Sequence, residues 1–247
     1  MTAEPTSWLA YRRPHKDARV RLFCFPYAGA GASIYRDWLL EPTSEIEVCP
    51  VQLPGRESRF KESLFKTMEP LVAALAKGLA GYLDKPFAFF GHSMGALISY
   101  ELARHLRRER NISPLHLFAS ARRAPQVIST SPPIHTLPRA EFIKRLREIE
   151  GINEGVLQGT ELMDFLLPIL RADFGLCETY QYVNEAALDC PMTVFGGTED
   201  DHVTLSDLSA WREQTSSRYR LRMFPGDHFF LRRFPRELTR AIAENLL

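Results

Sequence analysis

The sequence predicts a single-domain α/β protein with a mainly parallel central sheet, helices on both faces of the sheet and one helical insertion. Short apolar runs alternate with segments of helical spacing along most of the 247 residues. Strands that alternate with helices in this way form parallel sheets that are covered on both sides. One connection, residues 121–191, is much longer than the roughly 12 residues that a crossover needs, and its apolar residues recur with helical spacing.

Six short runs rich in apolar residues are predicted as the strands, because nearly continuous apolar runs are typical of strands buried on both faces. They are residues 20–25, 46–51, 87–90, 115–119, 192–195 and 219–224. Apolar residues recur about every turn in three further segments, which are predicted as helices: 68–82, 96–108 and 238–246. Residues 1–18 are polar and carry two prolines, so the sequence predicts a loosely held N-terminal arm there.

The insertion spans about residues 125–185 and carries two apolar stripes of helical spacing. The stripes are Phe142, Ile143, Leu146 and Ile149, and then Leu162, Phe165, Leu166, Ile169 and Leu170. Pro168 is expected to kink or split the second helix. The helices are predicted to form a lid over a site, in which Phe142, Phe165 and Leu166 line the pocket. Ordinary core helices that pack on the sheet are the alternative.

Composition and charge argue against several classes of protein. The 31 basic and 30 acidic side chains give a formal net charge of +1, so neither nucleic acid nor an anionic membrane is an expected partner. We find neither a basic and apolar leader nor an apolar stretch long enough to cross a bilayer, and we expect a cytoplasmic protein. The cysteines, expected to be buried thiols, have the spacing of neither a zinc site nor a redox pair: Cys24, Cys49, Cys177 and Cys190. We expect no metal, no cofactor and a monomer.

Residues 91–95, with the sequence GHSMG, match the pattern G-x-S-x-G. The motif directly follows the predicted strand 87–90 and directly precedes the predicted helix 96–108. In that context it is typical of the nucleophile turn of α/β-hydrolases, where the serine stands clear at the N-terminus of a helix. The helix dipole and the free N–H groups there favour a developing anion. The sequence therefore predicts Ser93 as a catalytic nucleophile and the α/β-hydrolase fold.

A catalytic serine needs a base and an acid that orients the base, and in α/β-hydrolases the chain order is serine, acid, histidine. His228 follows the predicted strand 219–224 and is the preferred base. Three carboxylates follow the strand 192–195 and are candidates for the acid: Glu199, Asp200 and Asp201. The alternative bases are His92, which lies beside the nucleophile, and His202, which lies in the acid loop. The carboxyl ends of parallel strands meet at one edge of the sheet, so the base and the acid are expected to lie together.

The oxyanion that forms when a serine attacks needs two N–H donors, one from the residue after the nucleophile and one from an early loop. Met94 is the residue after Ser93. Residues 26–32, with the sequence PYAGAGA, follow the first predicted strand and have the small side chains that such a loop needs. Ala28 is predicted as the second donor. The loop is not a phosphate-binding loop, because no Gly-Lys-Ser/Thr follows it.

Together the motifs resemble those of the type II, or external, thioesterases of polyketide and nonribosomal peptide synthesis. The resemblance covers almost the whole chain beyond the N-terminal arm. The matching segments are residues 25–29 (FPYAG), 52–57 (QLPGRE), 91–96 (GHSMGA), 122–125 (RRAP), 170–174 (LRADF), 195–197 (FGG) with Asp200, and 226–231 (GDHFFL). The register of the acid loop favours Asp200 over its neighbours. The family pattern often has glycine where this chain has Ala30, and proline where it has Asp201.

The resemblance implies hydrolysis of acyl groups from the phosphopantetheine arm of carrier proteins, which clears or releases stalled or misprimed chains. The expected partner is an acyl or peptidyl carrier domain of a modular synthase. Carrier proteins are usually acidic around the phosphopantetheine serine, so four arginines near the site are predicted to dock them: Arg122, Arg123, Arg232 and Arg233. The alternatives are a medium-chain fatty-acyl carrier thioesterase, a small-molecule esterase of the same fold and, least favoured, a non-enzymatic binder of acyl carriers.

Overall fold

The computed structural model describes residues 6–14, 17–39, 45–148 and 160–247. Within these ranges six strands form one sheet in which every neighbouring pair is parallel. The strands are β1 (Val20–Phe25), β2 (Ile46–Pro50), β3 (Phe87–His92), β4 (Leu117–Ser120), β5 (Met192–Gly197) and β6 (Tyr219–Phe224), in the spatial order β2-β1-β3-β4-β5-β6. The order reverses between β1 and β3, and open α/β sheets bind their ligands beyond the carboxyl ends of the strands at such a point.

All six predicted strands are present, and their ends differ from the prediction by no more than two residues. Strands β3 and β5 run two residues further than predicted, because they include the glycines that follow the predicted ends. Gly91 pairs with Phe25, and Gly197 pairs with Phe224. Only backbone groups pair in a ladder, so glycine can extend it, and here it brings the strand ends up to the catalytic motifs.

Seven α-helices lie in the described ranges: α1 (Met68–Gly78), α2 (Met94–Arg110), α3 (Arg139–Glu148), α4 (Thr160–Glu178), α5 (Leu205–Ser209), α6 (Phe230–Arg233) and α7 (Pro235–Leu246). The predicted helix 68–82 is wrong at its end, because α1 stops at Gly78 and a 3₁₀ turn covers Ala80–Tyr82. Helix α2 begins earlier than predicted, directly after Ser93. None of the helices in these ranges has the length and apolar character needed to cross a membrane.

Two apolar cores cover the two faces of the sheet, as the sequence predicts. Phe23 and Phe89 lie on one face, in a core that they share with apolar side chains of α1 and α2. Leu22 and Phe90 lie on the other face, in a core with α7 and with the 3₁₀ segment Ala32–Leu39. Neighbouring residues of a strand point to opposite faces, so covering both faces requires the nearly continuous apolar runs seen in the sequence.

The N-terminal arm is docked on the edge of the sheet where the structure describes it, so the prediction of a loosely held arm is wrong for residues 6–14. Leu9 forms an antiparallel bridge with Val51, and the Trp8 carbonyl accepts a hydrogen bond from the Gln52 N–H at 2.8 Å. The Arg59 guanidinium lies 4.1 Å from the centre of the Trp8 ring. The backbone of residues 51 and 52 and the side chain of Arg59, all beyond β2, supply the partners for these contacts. The local composition of the arm gives no indication of such long-range partners.

The insertion forms an apolar cluster of its own between α3 and α4. Phe142 and Leu146 of α3 are fully buried in it with Leu167 and Leu170 of α4. Helix α4 continues through Pro168, so the predicted split does not occur. A proline costs an interior helix position about 3 kcal/mol. Each buried leucine contributes about 1.5–3 kcal/mol, and the leucine stripe on either side of Pro168 therefore holds the helix together.

Candidate active site

Ser93 occupies a strained turn between β3 and α2. Its backbone has φ 52° and ψ −113°, and its N–H donates a 2.7 Å hydrogen bond to the Ser120 carbonyl. A Cβ atom on Gly91 would lie 2.1 Å from the Gly95 carbonyl oxygen, and one on Gly95 would lie 2.1 Å from the Phe25 carbonyl oxygen. Left-handed backbone at a residue other than glycine costs about 1–3 kcal/mol and concentrates at functional sites. Both glycines of the motif are therefore required by the turn that presents Ser93.

His228 and Asp200 form a close, nearly buried pair. The His228 Nδ1 lies 2.7 Å from Asp200 Oδ2, and the two side chains are 9% and 1% exposed. The other carboxylate oxygen, Oδ1, accepts the backbone N–H groups of His202 at 2.9 Å and Val203 at 3.1 Å. A carboxylate can only accept, so the proton of a neutral imidazole sits on Nδ1 and leaves Nε2 free to take a proton.

The other candidates for the acid and the base lie elsewhere. Glu199 and Asp201 are exposed, and of the three neighbouring carboxylates only Asp200 is bonded to His228 among the described contacts. His202 is also exposed, and its ring centre lies 6.0 Å from that of His228. The register that the family pattern favours is therefore the one in which the acid contacts the base.

His92 is fully buried and links the serine turn to the histidine loop. Its Nε2 lies 2.9 Å from the His228 carbonyl oxygen, and its Nδ1 lies 2.9 Å from the Ser120 hydroxyl. Burial, and then the nearby His228, lower the pKa of His92 well below its usual value, so the ring is neutral. Since a carbonyl only accepts, Nε2 donates and Nδ1 accepts from Ser120. The sequence identified His92 only as an alternative base, and nothing in the motif indicates this structural role.

A cavity of about 730 Å³ lies at the carboxyl edge of the sheet, and both Ser93 and His228 line it. Ala28 and Met94 line the same cavity. The other walls come from the segments 121–129 and 131–133, from the end of α4 and from residues 180–182. The structure thus brings the predicted nucleophile, base and oxyanion donors to one cavity, and the insertion contributes much of the wall.

The side chains that were predicted to line the pocket lie outside the cavity wall that the structure describes. Phe142 is fully buried in the insertion cluster, Leu166 is partly buried beside that cluster, and Phe165 is 49% exposed. Phe174, about two turns further along α4, lines the cavity instead. Helical spacing identifies residues that share a face, but it does not identify what that face contacts. Of the first stripe, Ile149 lies outside the described residues.

The two predicted oxyanion donors belong to different elements that meet at the cavity. Met94 is the first residue of α2, where backbone N–H groups have no partner inside the helix. Ala28 follows β1 in the loop 26–32, which we call the oxyanion loop. The next N–H, that of Gly29, donates a 2.8 Å hydrogen bond to Asp173 Oδ2 of α4. A residue of the insertion therefore fixes the backbone immediately after Ala28.

The four predicted docking arginines differ in their surroundings. Arg122 and Arg123 line the cavity wall. Arg232 donates from both Nε (3.1 Å) and a terminal nitrogen (2.7 Å) to the Tyr27 hydroxyl, so it is already bound to the oxyanion loop. Arg233 is exposed at the surface of the histidine loop. The Nε of Arg122 is buried, whereas Arg123 makes an exposed hydrogen bond to the His202 carbonyl and Arg233 is exposed. Arg123 and Arg233 are therefore the better candidates for contact with a partner.

The parallel sheet, the strained serine turn and the His228–Asp200 pair define an α/β-hydrolase. The chain belongs to the thioesterase family, because the family model described as Thioesterase domain matches residues 20–246. The predicted fold class and the predicted activity, hydrolysis of thioesters, are confirmed by this match and by the relatives below.

The chain is 47% identical over 229 residues to the gramicidin S biosynthesis protein GrsT of Aneurinibacillus migulanus, covering 93% of this chain and 90% of that protein. Two solved structures are similar: the RedJ thioesterase from the prodiginine pathway of Streptomyces coelicolor (TM-score 0.86, 40% identity, 92% and 91% coverage) and the type II thioesterase BorB from the borrelidin cluster (TM-score 0.87, 32% identity, 98% and 97% coverage). The medium-chain S-acyl fatty acid synthase thioesterase of Rattus norvegicus is 32% identical over 229 residues, covering 90% of this chain and 84% of that protein. The resemblance to type II thioesterases is confirmed.

Proposed function

We propose that this thioesterase removes acyl groups from the phosphopantetheine arm of carrier domains in a peptide or polyketide synthase. In this proposal Ser93 is the nucleophile, His228 the general base and Asp200 the residue that orients the base. The observation that carries the assignment is the 2.7 Å contact between His228 Nδ1 and the buried Asp200, in a cavity that Ser93 also lines. The similarity to GrsT and RedJ, which serve gramicidin S and prodiginine biosynthesis, supports the choice of substrate class.

The reaction proceeds through an acyl-enzyme. The Ser93 oxygen attacks the thioester carbonyl while His228 Nε2 takes the hydroxyl proton. The N–H groups of Ala28 and Met94 donate to the oxyanion of the tetrahedral intermediate. The intermediate collapses, the carbon–sulfur bond breaks, and the thiol leaves with the proton from His228. Water, deprotonated by the same histidine, then attacks the ester on Ser93. The carbon–oxygen bond to Ser93 breaks, His228 returns the proton to the serine oxygen, and the free acid leaves.

Asp200 contributes orientation and charge. Its two backbone donors and its contact with His228 fix the carboxylate in one position, and this position holds the ring with Nε2 towards the cavity. When His228 takes the serine proton, the imidazolium that forms lies 2.7 Å from a carboxylate that is almost wholly buried. Charge-assisted hydrogen bonds are roughly twice as strong as neutral ones, so the transition state gains more from this contact than the resting enzyme does.

The whole chain is proposed to act as one domain, in which about residues 125–185 serve as the lid over the acyl pocket. The cavity of about 730 Å³ is within the range, about 300–1,000 Å³, that is usual for small-molecule sites. Its walls from the insertion include Phe174 and Val127, which offer apolar contact for an acyl chain, and Glu178, which is polar. This mixture suits acyl groups that carry some polar substituents.

Two alternative activities are less well supported. A medium-chain fatty-acyl thioesterase would use the same catalytic residues, but the medium-chain thioesterase of Rattus norvegicus is 32% identical to this chain, whereas GrsT is 47% identical. A small-molecule esterase of this fold would keep the catalytic residues and would not need a docked carrier. A protein that only binds acyl carriers would have no use for a strained serine or for an oriented histidine.

A parallel assay separates these activities. We expect kcat/KM for an acyl group on a carrier domain to exceed that for the same group on a short neutral thiol by at least about tenfold, because docking raises the encounter rate. The same group as an oxygen ester should react more slowly than either thioester. The unacylated carrier should inhibit competitively, which is the control for docking. Equal values for carrier-bound and free thioesters would contradict the carrier proposal and favour the esterase.

The arginines at the rim give a second expected result. Reversing the charge at Arg123 and Arg233 (Arg123→Glu with Arg233→Glu) should lower kcat/KM for the acyl-carrier about tenfold at low salt and leave the short thiol substrate unchanged. The Debye length falls from about 10 Å at 0.1 M to about 3 Å at 1 M, so high salt should remove the difference between variant and parent. Measuring both substrates across this range of salt tests the docking role.

The control is Arg110→Glu, which makes at the last residue of α2 the same change of charge as either single rim variant, Arg123→Glu or Arg233→Glu. That helix has 17 residues, which places Arg110 about 25 Å from Ser93 at 1.5 Å per residue. Its salt response should match that of the parent enzyme. If Arg110→Glu loses as much activity as either single rim variant, the arginines act only through net charge and are not a docking site.

A further inference from the structure

We propose that Asp173, on the lid helix α4, is a positioning residue that holds the oxyanion loop in its active conformation through Arg56. The proposal rests on the proposed function, because it concerns the loop that carries the Ala28 donor. It assigns a role to two sequence motifs, residues 52–57 and 170–174, that supply no residue to the proposed catalytic chemistry.

Asp173 is fully buried, and both of its carboxylate oxygens are bonded. Its Oδ2 accepts from the Gly29 N–H at 2.8 Å and from Arg56 at 2.6 Å, while Oδ1 accepts from the other terminal nitrogen of Arg56 at 2.8 Å. Arg56 donates in addition to the Ala30 carbonyl at 3.2 Å. The bidentate pair therefore contacts the oxyanion loop on both sides of Gly29, one peptide plane from the N–H of Ala28.

The backbone of Gly29 depends on α4 in a second way. Its φ is +79°, and a Cβ atom there would lie 2.6 Å from Leu170 Cδ2. Leu170 and Asp173 are three residues apart, so they point from the same face of α4 towards the loop. One side chain packs on Gly29 while the other binds its N–H. The lid helix thus forms the surface against which the loop is shaped.

The segment after β2 holds the rest of the loop. The Gln52 amide oxygen accepts the Ala32 N–H at 3.1 Å, and Glu57 Oε1 accepts the Ser33 hydroxyl at 2.5 Å. Arg56 lies between these two residues and reaches Asp173. The oxyanion loop is consequently held between a scaffold segment on one side and the lid on the other, and the Arg56–Asp173 pair connects the two.

A buried ion pair is weak evidence for stability, because desolvation of the two charges offsets their attraction. Its directional hydrogen bonds nevertheless fix the groups around it, and an oxyanion donor must lie about 2.7–3.1 Å from the developing charge. Losing one such donor costs about 10²- to 10³-fold in kcat. A variant in which the loop is displaced but the donor is still present should therefore lose less kcat than a variant that lacks the donor.

Asp173→Asn tests the role, because asparagine keeps the shape but turns an N–H group towards Arg56. We expect kcat to fall about 10- to 100-fold, with KM within about twofold of the parent value, since an oxyanion contact is made only in the transition state. A trifluoromethyl ketone analogue of the acyl substrate forms a tetrahedral oxyanion on the serine. Its inhibition constant should rise by the same factor as kcat/KM falls.

Three further measurements separate positioning from folding. A fluorophosphonate, titrated to completion, counts intact sites so that kcat is expressed per site. Arg56→Lys keeps the charge but loses the bidentate geometry, and it should show the same pattern if Asp173→Asn does not fold. Glu47→Gln is the matched control, because Glu47 is also a buried carboxylate bonded to an arginine, Arg21 at 3.1 Å, but near the amino ends of the strands. It should lower the melting temperature and leave kcat per site unchanged.

Normal kcat per site and normal affinity for the ketone in Asp173→Asn and Arg56→Lys would overturn the proposal and leave the pair a purely structural one. Equal losses in Glu47→Gln would overturn it as well, because they would show a general response to a lost buried charge. Activity in a Ser93→Ala variant would instead contradict the proposed function itself. That result is independent of Asp173, so the two failures are distinguishable.

Discussion

Replacing Ser93 by alanine is expected to lower kcat for a thioester by about 10³- to 10⁶-fold, the range seen when the nucleophile of such a triad is removed. The attacking atom is lost, while the cavity, the oxyanion donors and the acyl pocket remain. Binding of the substrate should therefore change little, and the loss should appear in kcat rather than in KM. Steady-state hydrolysis of one acyl-carrier substrate by parent and variant measures kcat and KM.

The matched control is Ser99→Ala, which removes the same oxygen from a buried serine further along α2. The Ser99 hydroxyl donates to the Ala96 carbonyl at 2.9 Å inside the helix and does not line the cavity. Its loss should be close to neutral for turnover. Mass spectrometry after fluorophosphonate treatment should find the label on Ser93 in the parent enzyme. An active Ser93→Ala variant, or a label on another residue, would rule out the proposed acyl-enzyme.

Much of this site can be predicted from sequence because its main features are local. The glycines on either side of Ser93 indicate a turn in which any larger residue at their positions would clash with the backbone. The order of acid and base along the chain follows from the fold. The strand that precedes Asp200 is an apolar run that ends in glycine, and the strand that precedes His228 alternates arginine with apolar residues as far as Phe224, so both ends can be recognised. Each of these residues lies within a few positions of a strand end, where parallel sheets collect their functional groups.

The features that escaped prediction depend on contacts between distant parts of the chain. His92 bonds to the backbone of residue 228, and Arg56 bonds to Asp173, 117 residues away. Phe165 and Leu166 of α4 and Phe142 of α3 were predicted to line the pocket, whereas Phe174 of α4 lines it, because periodicity defines a face of a helix but not what that face contacts. The contacts of Trp8 also escaped prediction, because their partners lie more than 40 residues further along the chain. The sequence shows that these residues are suited to burial or to pairing. Only the fold shows which residues they contact.

The neighbouring carboxylates Asp200 and Asp201 should respond very differently to the same substitution. Asp200→Asn is expected to lower kcat by about 10⁴-fold, as in other triads whose acid becomes an amide. Asp201→Asn, which changes an exposed side chain with no contact to His228 among the described bonds, should stay within about twofold of the parent. The adjacent position with the same chemical change is thus the control.

The size of the expected loss follows from the hydrogen bonds of Asp200. An asparagine oxygen can still accept the backbone N–H groups of His202 and Val203, so the loop should keep its shape. Its amide nitrogen then faces His228 Nδ1 and, as a donor, favours the tautomer whose proton lies on Nε2. That tautomer cannot take the Ser93 proton. We expect an intact melting temperature and a fluorophosphonate reaction that slows in parallel with kcat, whereas reversed effects at the two positions would identify Asp201 as the orienting acid.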